Sequence, residues 1–361
     1  MSKKSNYFAE NQRAEYHTGW YQPPEELINY LIMNTEKTLY PLKFAPILKE
    51  RIWGGTRLKT VLGKKPKMKS CGESWEVSCV SDNISVVTNG FLRGNNLQEL
   101  IEVYMGDLVG DSIYERFGTE FPILIKFIDA LDDLSIQVHP DDRMAAERHS
   151  AFGKTEMWYV MESGKDSSLI AGFNQKMDRE RYMQALNDKK LKDIMNFEKV
   201  ALGDVFFMPA GRVHAIGKDI LLAEIQQTSD VTYRIYDWDR VDDGGKSREL
   251  HTELALDAID YNLHDEYKTL YQKNLQGTVE LVKCPYFTTN LVCLDLPVEK
   301  NFQSLDSFVI YICTSGVCSI RWGTAGSLII RKGDTALIPA ELDEIRLIPS
   351  EPAELLEVYI V

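Results

Sequence analysis

The sequence predicts a mainly β protein built from two related β modules with a small helical portion. Short apolar runs, bounded by glycine, proline and aspartate, alternate with turns along most of the chain, a pattern typical of strands. The stretch GDVFFMPA at 203–210 returns as GDTALIPA at 333–340, with glycine, five residues and then proline in both copies. Such an echo indicates a duplicated unit. Sustained helical patterns are confined to a few short segments.

Composition and charge argue against several classes of protein. The chain has 361 residues, enough for two packed domains, and a hydrophobic content of 44%, an ordinary globular value. Its net charge of −13 argues against nucleic acid and anionic membrane surfaces as partners, although a local basic site could still bind a small anion. We find no apolar run long enough to cross a bilayer and no signal-peptide core, and we therefore expect a cytoplasmic protein.

The cysteine pattern favours reduced thiols, because the six residues form neither a CxxC pair nor a cluster with histidine. They are Cys71, Cys79, Cys284, Cys293, Cys313 and Cys318.

Residues 1–37 differ from the rest of the chain. They mix tyrosine, asparagine, glutamate and glutamine without a sustained period, and PPEE at 23–26 could begin one short helix. We interpret this segment as an appendage. The two β modules then occupy 38–275 and 276–361, the first with polar candidate ligands and the second without.

Alternation and apolar runs predict the elements of both modules. The nearly continuous apolar run FPILIKFI at 121–128 suits a strand covered on both faces. Other strands are predicted at 40–44, 72–78, 134–140, 155–161, 205–207, 221–227 and 231–238, with a turn at 51–55. Apolar stripes predict helices at 97–104, 177–198 and 249–259, and the pattern from 277 to 361 predicts short strands and turns.

The stretch 203–217 carries the first candidate site residue. Gly203 and Asp204 predict a turn, and Pro209 and Gly211 end the following strand and bend the chain. The next strand carries His214 among apolar neighbours. A lone buried histidine is more often bonded to a backbone carbonyl than to a metal, so its meaning depends on other polar residues.

Three further polar residues are candidates to join His214. Gln137 and His139 lie two positions apart on a predicted strand and therefore face the same side, and Glu156 lies on the next strand. Two imidazoles and a carboxylate are a common catalytic ligand set for zinc, to which an amide oxygen can add a weaker ligand. Oxygen-rich sites also admit Mn²⁺ or Co²⁺. The alternative is that these are unrelated polar residues near strand ends.

The pattern Gly-x5-Pro-x-Gly-x2-His at 203–214 resembles the second conserved motif of cupins. Gln137-x-His139 followed by Glu156 resembles the first motif, with glutamine in place of its first histidine. That departure, together with QVHPD at 137–141, KTEMWY at 154–159 and YRIYD at 233–237, resembles type I mannose-6-phosphate isomerases. The resemblance runs from about residue 40 to residue 361 and matches compact bacterial members without a large helical insertion.

The resemblance implies a pair of cupin jelly rolls with helices packed alongside, and an enzyme that interconverts mannose 6-phosphate and fructose 6-phosphate. It implies one zinc ion per chain, held by Gln137, His139, Glu156 and His214. The second barrel is then expected to lack the ligand histidine, as the second copy of the echo does.

Two catalytic candidates follow from the same resemblance. Arg234 would stabilise the negative charge of an enediol intermediate, and its alternative role is a structural ion pair with Asp237 or Asp239. Lys154 would carry the proton between C1 and C2. The alternatives for Lys154 are a phosphate contact or a surface lysine.

Five further residues are expected to line the substrate pocket: Trp53, Glu73, Ser74, Trp158 and Tyr236. An aromatic residue in a β barrel is more often part of the core than a platform for substrate. Ser74, Lys154 and Arg234 all stay open as phosphate contacts.

Two other functions compete with the isomerase. A metal-dependent cupin enzyme of another reaction class, such as a dioxygenase, would need an open Fe(II) site. A non-catalytic sugar-phosphate-binding cupin would hold the sugar phosphate and leave it unchanged. Under the isomerase interpretation we expect a hexose 6-phosphate substrate, no nucleic acid or membrane partner, and a monomer or homodimer.

Overall fold

A computed structural model describes residues 38–241 and 244–361. Within it, Leu39–Val361 form one compact unit. The predicted appendage at 1–37 and its short helix lie outside the described residues.

Strands dominate the described part of the chain, as predicted. In chain order, β1 to β14 are Ile47–Gly55, Cys71–Val77, Cys79–Val80, Asn83–Ile84, Ile123–Ala130, Ile136–Val138, Glu156–Ser163, Ser168–Phe173, Met195–Lys199, Val205–Met208, His214–Ala215, Ile220–Gln227, Tyr233–Tyr236 and Lys268–Thr269. Strands β15 to β23 are Gly277–Lys283, Thr288–Leu294, Val298–Asn301, Val309–Ser315, Val317–Trp322, Gly326–Arg331, Thr335–Ile338, Glu344–Pro349 and Ala353–Tyr359.

The helices are few and short. In chain order, α1 to α6 are Arg57–Thr60, Leu97–Val109, Asp111–Phe117, Asp142–His149, Arg179–Asn187 and Thr252–Ala258, and a 3-10 turn spans Leu191–Ile194. Helix α2 begins at a capping box between Asn96 and Glu99, which satisfies two backbone donors at its start.

Two pairs of antiparallel sheets form two sandwiches. The first contains a seven-stranded sheet in the order β1-β2-β5-β12-β7-β10-β14 and a five-stranded sheet in the order β13-β6-β11-β8-β9. The second contains the sheets β15-β16-β23-β18-β21 and β17-β22-β19-β20. This is the predicted mainly β, two-module fold. We propose the predicted boundary at 275/276 as the division between modules, since it falls between β14 and β15.

The core of the first sandwich lies between its two sheets. Trp158, Val160 and Leu222 from the seven-stranded sheet pack with Leu169 and Ala171 from the five-stranded sheet. The outer face of the five-stranded sheet is apolar as well, and helices α5 and α6 pack against it. Its strands are therefore buried on both sides. Polar side chains that face inward from these strands are exceptions to the apolar core and need an explanation.

The two copies of the echo adopt the same local structure. Strands β10 and β21 each follow a glycine in the left-handed region, Gly203 at φ 87° and Gly333 at φ 89°. The carboxylate of Asp204 accepts a hydrogen bond from the N–H three residues earlier at 2.8 Å, and that of Asp334 does the same at 3.0 Å. The repeated pattern thus encodes a repeated turn and strand.

Three of the predicted element boundaries are wrong. Residues 40–44 form isolated bridges instead of a strand, and 51–55 continue β1 instead of forming a turn. The helix predicted at 177–198 ends at Asn187, and Met195–Lys199 forms β9. Strand β9 lies at the edge of its sheet and carries several polar residues. In the sequence these residues look like the solvent-facing side of a helix, which explains the error.

All six cysteines are free thiols in the structure. None of the helices in the described residues is both long enough and apolar enough to cross a membrane.

Candidate active site

The structure brings His139, Glu156 and His214 together inside the first sandwich. One ligand atom from each lies within 4.8 Å of the others, and all three side chains are buried. The Nε2 atoms of the two histidines face the Glu156 carboxylate, at 3.5 Å for His139 and 3.3 Å for His214. No other group of three such residues with this geometry is found in the described part of the chain.

Strand register places the fourth predicted ligand beside them. Gln137 on β6 is the direct cross-strand partner of His214 on β11 and of Arg234 on β13. Direct partners project their side chains to the same face, so all three point into the sandwich. The Gln137 amide nitrogen lies 3.3 Å from His214 Nε2.

Glu156 approaches from the opposite sheet, as the first residue of β7. Its neighbour Thr155 holds this end of the strand through two hydrogen bonds. The Thr155 N–H donates to Gln227 Oε1 at 2.8 Å, and its hydroxyl accepts from the N–H of Ala210 at 3.2 Å. The candidate ligands therefore come from two facing sheets, which is why no single local motif contains them all.

Gly211 joins the two histidine-bearing segments. Its N–H donates to the carbonyl of His139 at 2.9 Å, and its φ of 90° lies in the left-handed region. A Cβ at this position would lie 3.0 Å from the carbonyl oxygen of Ala258. Glycine is needed here both for conformation and for close approach.

Both histidines present an unprotonated Nε2 to the cluster. His139 Nδ1 lies 3.0 Å from the carbonyl oxygen of Val231 and His214 Nδ1 lies 2.8 Å from that of Arg212, so each Nδ1 carries the donated proton. Burial, with Lys154 as the second cause, holds the pKa of His139 well below its usual 6.5. Burial also lowers the pKa of His214 to about 4.

Three facing acceptor groups fit a divalent cation. His139 Nε2 and both Glu156 carboxylate oxygens are buried without a hydrogen-bond partner among the described residues. Such groups cost stability unless a cation compensates them. Imidazoles that donate Nδ1–H to carbonyls are also oriented as metal ligands usually are. The residues present therefore fit a metal.

Gln137 contributes its oxygen only if its side-chain amide is rotated by half a turn. The amide nitrogen faces His214 Nε2 in this structure, and a nitrogen donor cannot bind a cation. Amide oxygen and nitrogen occupy nearly equivalent positions, so the rotation needs no movement of the backbone.

A cavity of about 520 Å³ opens beside this cluster. Four of the predicted pocket and catalytic residues line it, namely Trp53, Glu73, Lys154 and Arg234, together with Gln137. Lys154 Nζ lies 3.3 Å from Glu156 Oε2, at the boundary between cavity and ligand cluster.

Trp158 lies behind the candidate ligands and does not line this cavity. Its ring packs edge-on against His214 with centroids 5.3 Å apart, and its Nε1–H donates to Glu224 at 3.0 Å. It supports His214 from within the core.

Ser74 lies on the opposite face of β2 from Glu73. Its hydroxyl donates to Glu76 Oε1 at 2.5 Å, as the alternation of a strand requires. The structure does not bring it to the cavity.

Tyr236 is directed away from the cavity by a bulge. Arg234 pairs with Gln137 and Tyr236 pairs with Ile136, so two residues of β13 oppose one step of β6. The bulge turns Tyr236 toward Asp239, to which its hydroxyl donates at 3.0 Å. Tyr236 does not line the cavity with Arg234.

Sequence reasoning missed a second polar pair in the cavity wall. Lys126 on β5 and Glu224 on β12 are direct cross-strand partners, and Lys126 Nζ donates to Glu224 Oε1 at 2.9 Å. Although burial lowers the pKa of Lys126, the carboxylates of Glu224 and Glu73 raise it more. The sequence feature that could have revealed this pair is the single lysine inside the apolar run at 121–128.

Five cationic side chains line the cavity of a chain that is acidic overall: Arg51, Lys126, Lys154, Arg234 and Arg248. All but one are paired with a carboxylate, from Glu73, Glu224, Glu156 and Asp237 respectively. Arg234 has no carboxylate partner among the described residues, and its Nε has no hydrogen-bond partner there. Its positive charge is therefore not neutralised by a carboxylate at the cavity wall, an arrangement that suits an anion bound there.

Comparisons with known proteins agree on one family. A family model described as phosphomannose isomerase type I, catalytic domain, matches residues 41–167. Mannose-6-phosphate isomerase ManA of Bacillus subtilis (strain 168) is 36% identical over 318 residues, which cover 86% of this chain and 96% of the relative.

Solved structures show the same relationship. The crystal structure of the mannose 6-phosphate isomerase from Bacillus subtilis matches with a TM-score of 0.81 and 30% identity, covering 89% of this chain and 100% of that one. A mannose 6-phosphate isomerase bound with zinc and yttrium shares the fold, with a TM-score of 0.72, 18% identity and the same coverage. The chain therefore belongs to the type I phosphomannose isomerase family.

Proposed function

We propose that this protein is a metal-dependent aldose–ketose isomerase that interconverts mannose 6-phosphate and fructose 6-phosphate through an enediol. The observation that carries the proposal is the set of facing, buried acceptors of His139, Glu156 and His214 beside a cavity lined with cations. The names of its relatives supply the substrate.

The proposed cofactor is one zinc ion per chain, held by Gln137, His139, Glu156 and His214. When bound, it would polarise the sugar carbonyl and stabilise the negative charge of the enediol. Two neutral imidazoles and one carboxylate suit zinc, and they leave room for substrate. The relative bound with zinc and yttrium supports this choice.

Arg234 is proposed to stabilise charge on the reacting sugar. It lies next to Gln137 across β6 and β13, it lines the cavity, and its Nε has no hydrogen-bond partner among the described residues. A fixed donor aimed at developing negative charge acts without reorganisation during the reaction. The alternative, a structural ion pair with Asp237 or Asp239, receives no support, because neither carboxylate pairs with Arg234 among the described residues.

Lys154 is proposed to carry the proton between C2 and C1. It is buried at the cavity wall, next to the ligand Glu156, and so reaches the position where C1 and C2 must lie near the ligands. Lys154→Met should abolish exchange of the C2 proton with solvent, whereas a mere phosphate contact would mainly raise KM.

The proposed substrate contacts are Trp53 and Glu73, the two predicted pocket residues that line the cavity. Trp158 is proposed to act indirectly, through its ring contact with His214. Glu73 accepts two hydrogen bonds from Arg51, at 2.8 and 3.1 Å, and one from Trp75 at 2.7 Å. Ser74 and Tyr236 are left out of the proposed site because both face away from the cavity.

The direct test is conversion of mannose 6-phosphate by purified, zinc-loaded protein, with a chelator-treated sample as control. We expect fructose 6-phosphate from the first sample and none from the second. Binding without conversion would favour a sugar-phosphate-binding cupin, and oxygen uptake by an iron-loaded sample would favour a dioxygenase. A monomeric or homodimeric state and a cytoplasmic location stay predictions, to be tested by size-exclusion chromatography and cell fractionation.

A further inference from the structure

A buried carboxylate stands at the end of the strand that carries Arg234. Asp237 follows β13 directly and is only 5% exposed. It accepts hydrogen bonds from Arg240 at 2.6 Å and from Arg248 Nε at 2.7 Å, with a second contact from the Arg248 guanidinium. Although burial raises the pKa of Asp237, these two arginines lower it more, and the carboxylate stays charged.

Residues 248–251, which we call the strap, run alongside Arg234. Within the strap, the carbonyl of Glu249 accepts a hydrogen bond from Arg234 Nη1 at 2.9 Å. His251 holds the main chain of Arg234 on both sides. Its N–H donates to the Arg234 carbonyl at 2.7 Å, and its Nδ1 accepts from the Arg234 N–H at 3.2 Å.

The backbone beside Asp237 is held in an unusual conformation. Trp238 and Asp239 both lie in the left-handed region, at φ 58° and 55°. Two consecutive non-glycine residues there are costly and persist only where surrounding contacts determine them. The Trp238 Nε1–H donates to the carbonyl of Leu134 at 2.7 Å, which ties the turn to the segment leading into β6.

We propose that Asp237 is a positioning residue for Arg234: by clamping Arg248 it fixes the strap, and the strap orients the Arg234 guanidinium in the active-site cavity. Asp237 does not line that cavity, so it acts through other residues. This inference rests on the proposed function, in which Arg234 stabilises charge on the sugar. Asp237 is the last residue of the YRIYD segment at 233–237, and the resemblance by itself assigns it no role.

The test is a double-mutant cycle of wild type, Asp237→Asn, Arg234→Ala and the double variant, all loaded with zinc. We expect Asp237→Asn to lower kcat by about 10- to 100-fold, with a smaller change in KM and unchanged zinc content. In the Arg234→Ala background the same substitution should lower kcat by no more than about threefold, because the residue it positions is absent.

The chain offers a matched control for loss of an arginine clamp. Asp257 also accepts from two arginines, Arg148 at 2.6 Å and Arg179 at 3.0 Å, but it lies on α6 away from the cavity. Asp257→Asn should leave kcat unchanged. Should Asp237→Asn fail to fold, Arg248→Lys, which keeps a cation but loses the two-point contact, takes its place in the cycle.

Failure of the inference differs from failure of the proposed function. An equal loss of kcat from Asp237→Asn in both backgrounds, or no loss in wild type, would overturn the positioning role while the isomerase stands. Absence of turnover in zinc-loaded wild type would instead remove the proposed function.

Discussion

Gln137 and Arg234 face each other across the antiparallel strands β6 and β13, so the proposed metal site and the proposed charge-stabilising group share one row of a sheet. His214 completes the row on the other side of Gln137. A backbone ladder fixes these separations more firmly than a loop would. Changes to one member of the row should therefore act on chemistry or on metal binding without disturbing the fold.

Arg234→Ala should separate catalysis from metal binding. Loss of one preorganised donor typically lowers kcat by about 100- to 1,000-fold, and Arg234 is not a proposed ligand. We expect that loss with the zinc content of wild type, measured by steady-state kinetics and metal analysis of the same samples. Arg181→Ala, on the exposed surface of α5, is the matched control and should keep full activity. Normal turnover in Arg234→Ala would remove the arginine from the mechanism.

The proposed ligands should differ in how much zinc affinity is lost when each is removed. His214→Ala removes an imidazole and should lower zinc affinity more than Gln137→Ala, which removes a neutral amide oxygen. We expect the His214 loss to exceed the roughly 10- to 100-fold typical of a residue that only orients a ligand. Competition with a chromophoric chelator measures both affinities, with the exposed Gln303→Ala as control. Equal zinc affinity in Gln137→Ala and wild type would show that the amide is not a ligand.

Gly211→Ala should weaken both the fold and the site. The left-handed conformation alone costs about 1–3 kcal/mol for a residue with a Cβ, and the new atom would crowd a carbonyl oxygen at 3.0 Å. Because the Gly211 N–H bonds the carbonyl of His139, zinc affinity should fall as well. Urea unfolding and zinc titration check this. Gly63→Ala, with φ 67° but open space around it, isolates the conformational cost, and an equal loss of stability in both variants would rule out crowding.

The thiols should be slow to react in the native protein. Burial raises the pKa of Cys313 to about 12 and that of Cys318 to about 11, and only the thiolate reacts. At pH 8, iodoacetamide should label the half-buried Cys79 and Cys284 first and the buried Cys313 and Cys318 only after unfolding. Raising the pH toward 11 should speed labelling. Fewer than six labelled cysteines in unfolded, unreduced protein would contradict the prediction of free thiols.

Local patterns were sufficient to predict most strands and to mark candidate ligands, whereas the ligand set itself was implied by the family resemblance. A period of two places Gln137 and His139 on one face, and glycine and proline mark the bend before His214. The alternation of side chains along β2 places Ser74 on the opposite face from Glu73. The prediction that both residues line the substrate pocket therefore conflicted with the strand pattern itself.

Other features depend on contacts that no local pattern contains. The bulge that turns Tyr236 away is visible only once β13 pairs with β6. Lys126 and Glu224 are 98 residues apart in the chain, and their pairing follows from sheet order alone. Likewise, the arginine clamp of Asp237 forms only when the strap folds back along β13.

Reconstitution of metal-free protein with zinc is the most direct test of the central claim. Conversion of mannose 6-phosphate should be absent without metal, rise in proportion to added zinc and level off at one zinc per chain, and the same titration of His214→Ala should give no comparable rise. Full activity in rigorously metal-free protein, or a zinc-dependent rise that survives His214→Ala, would contradict the account.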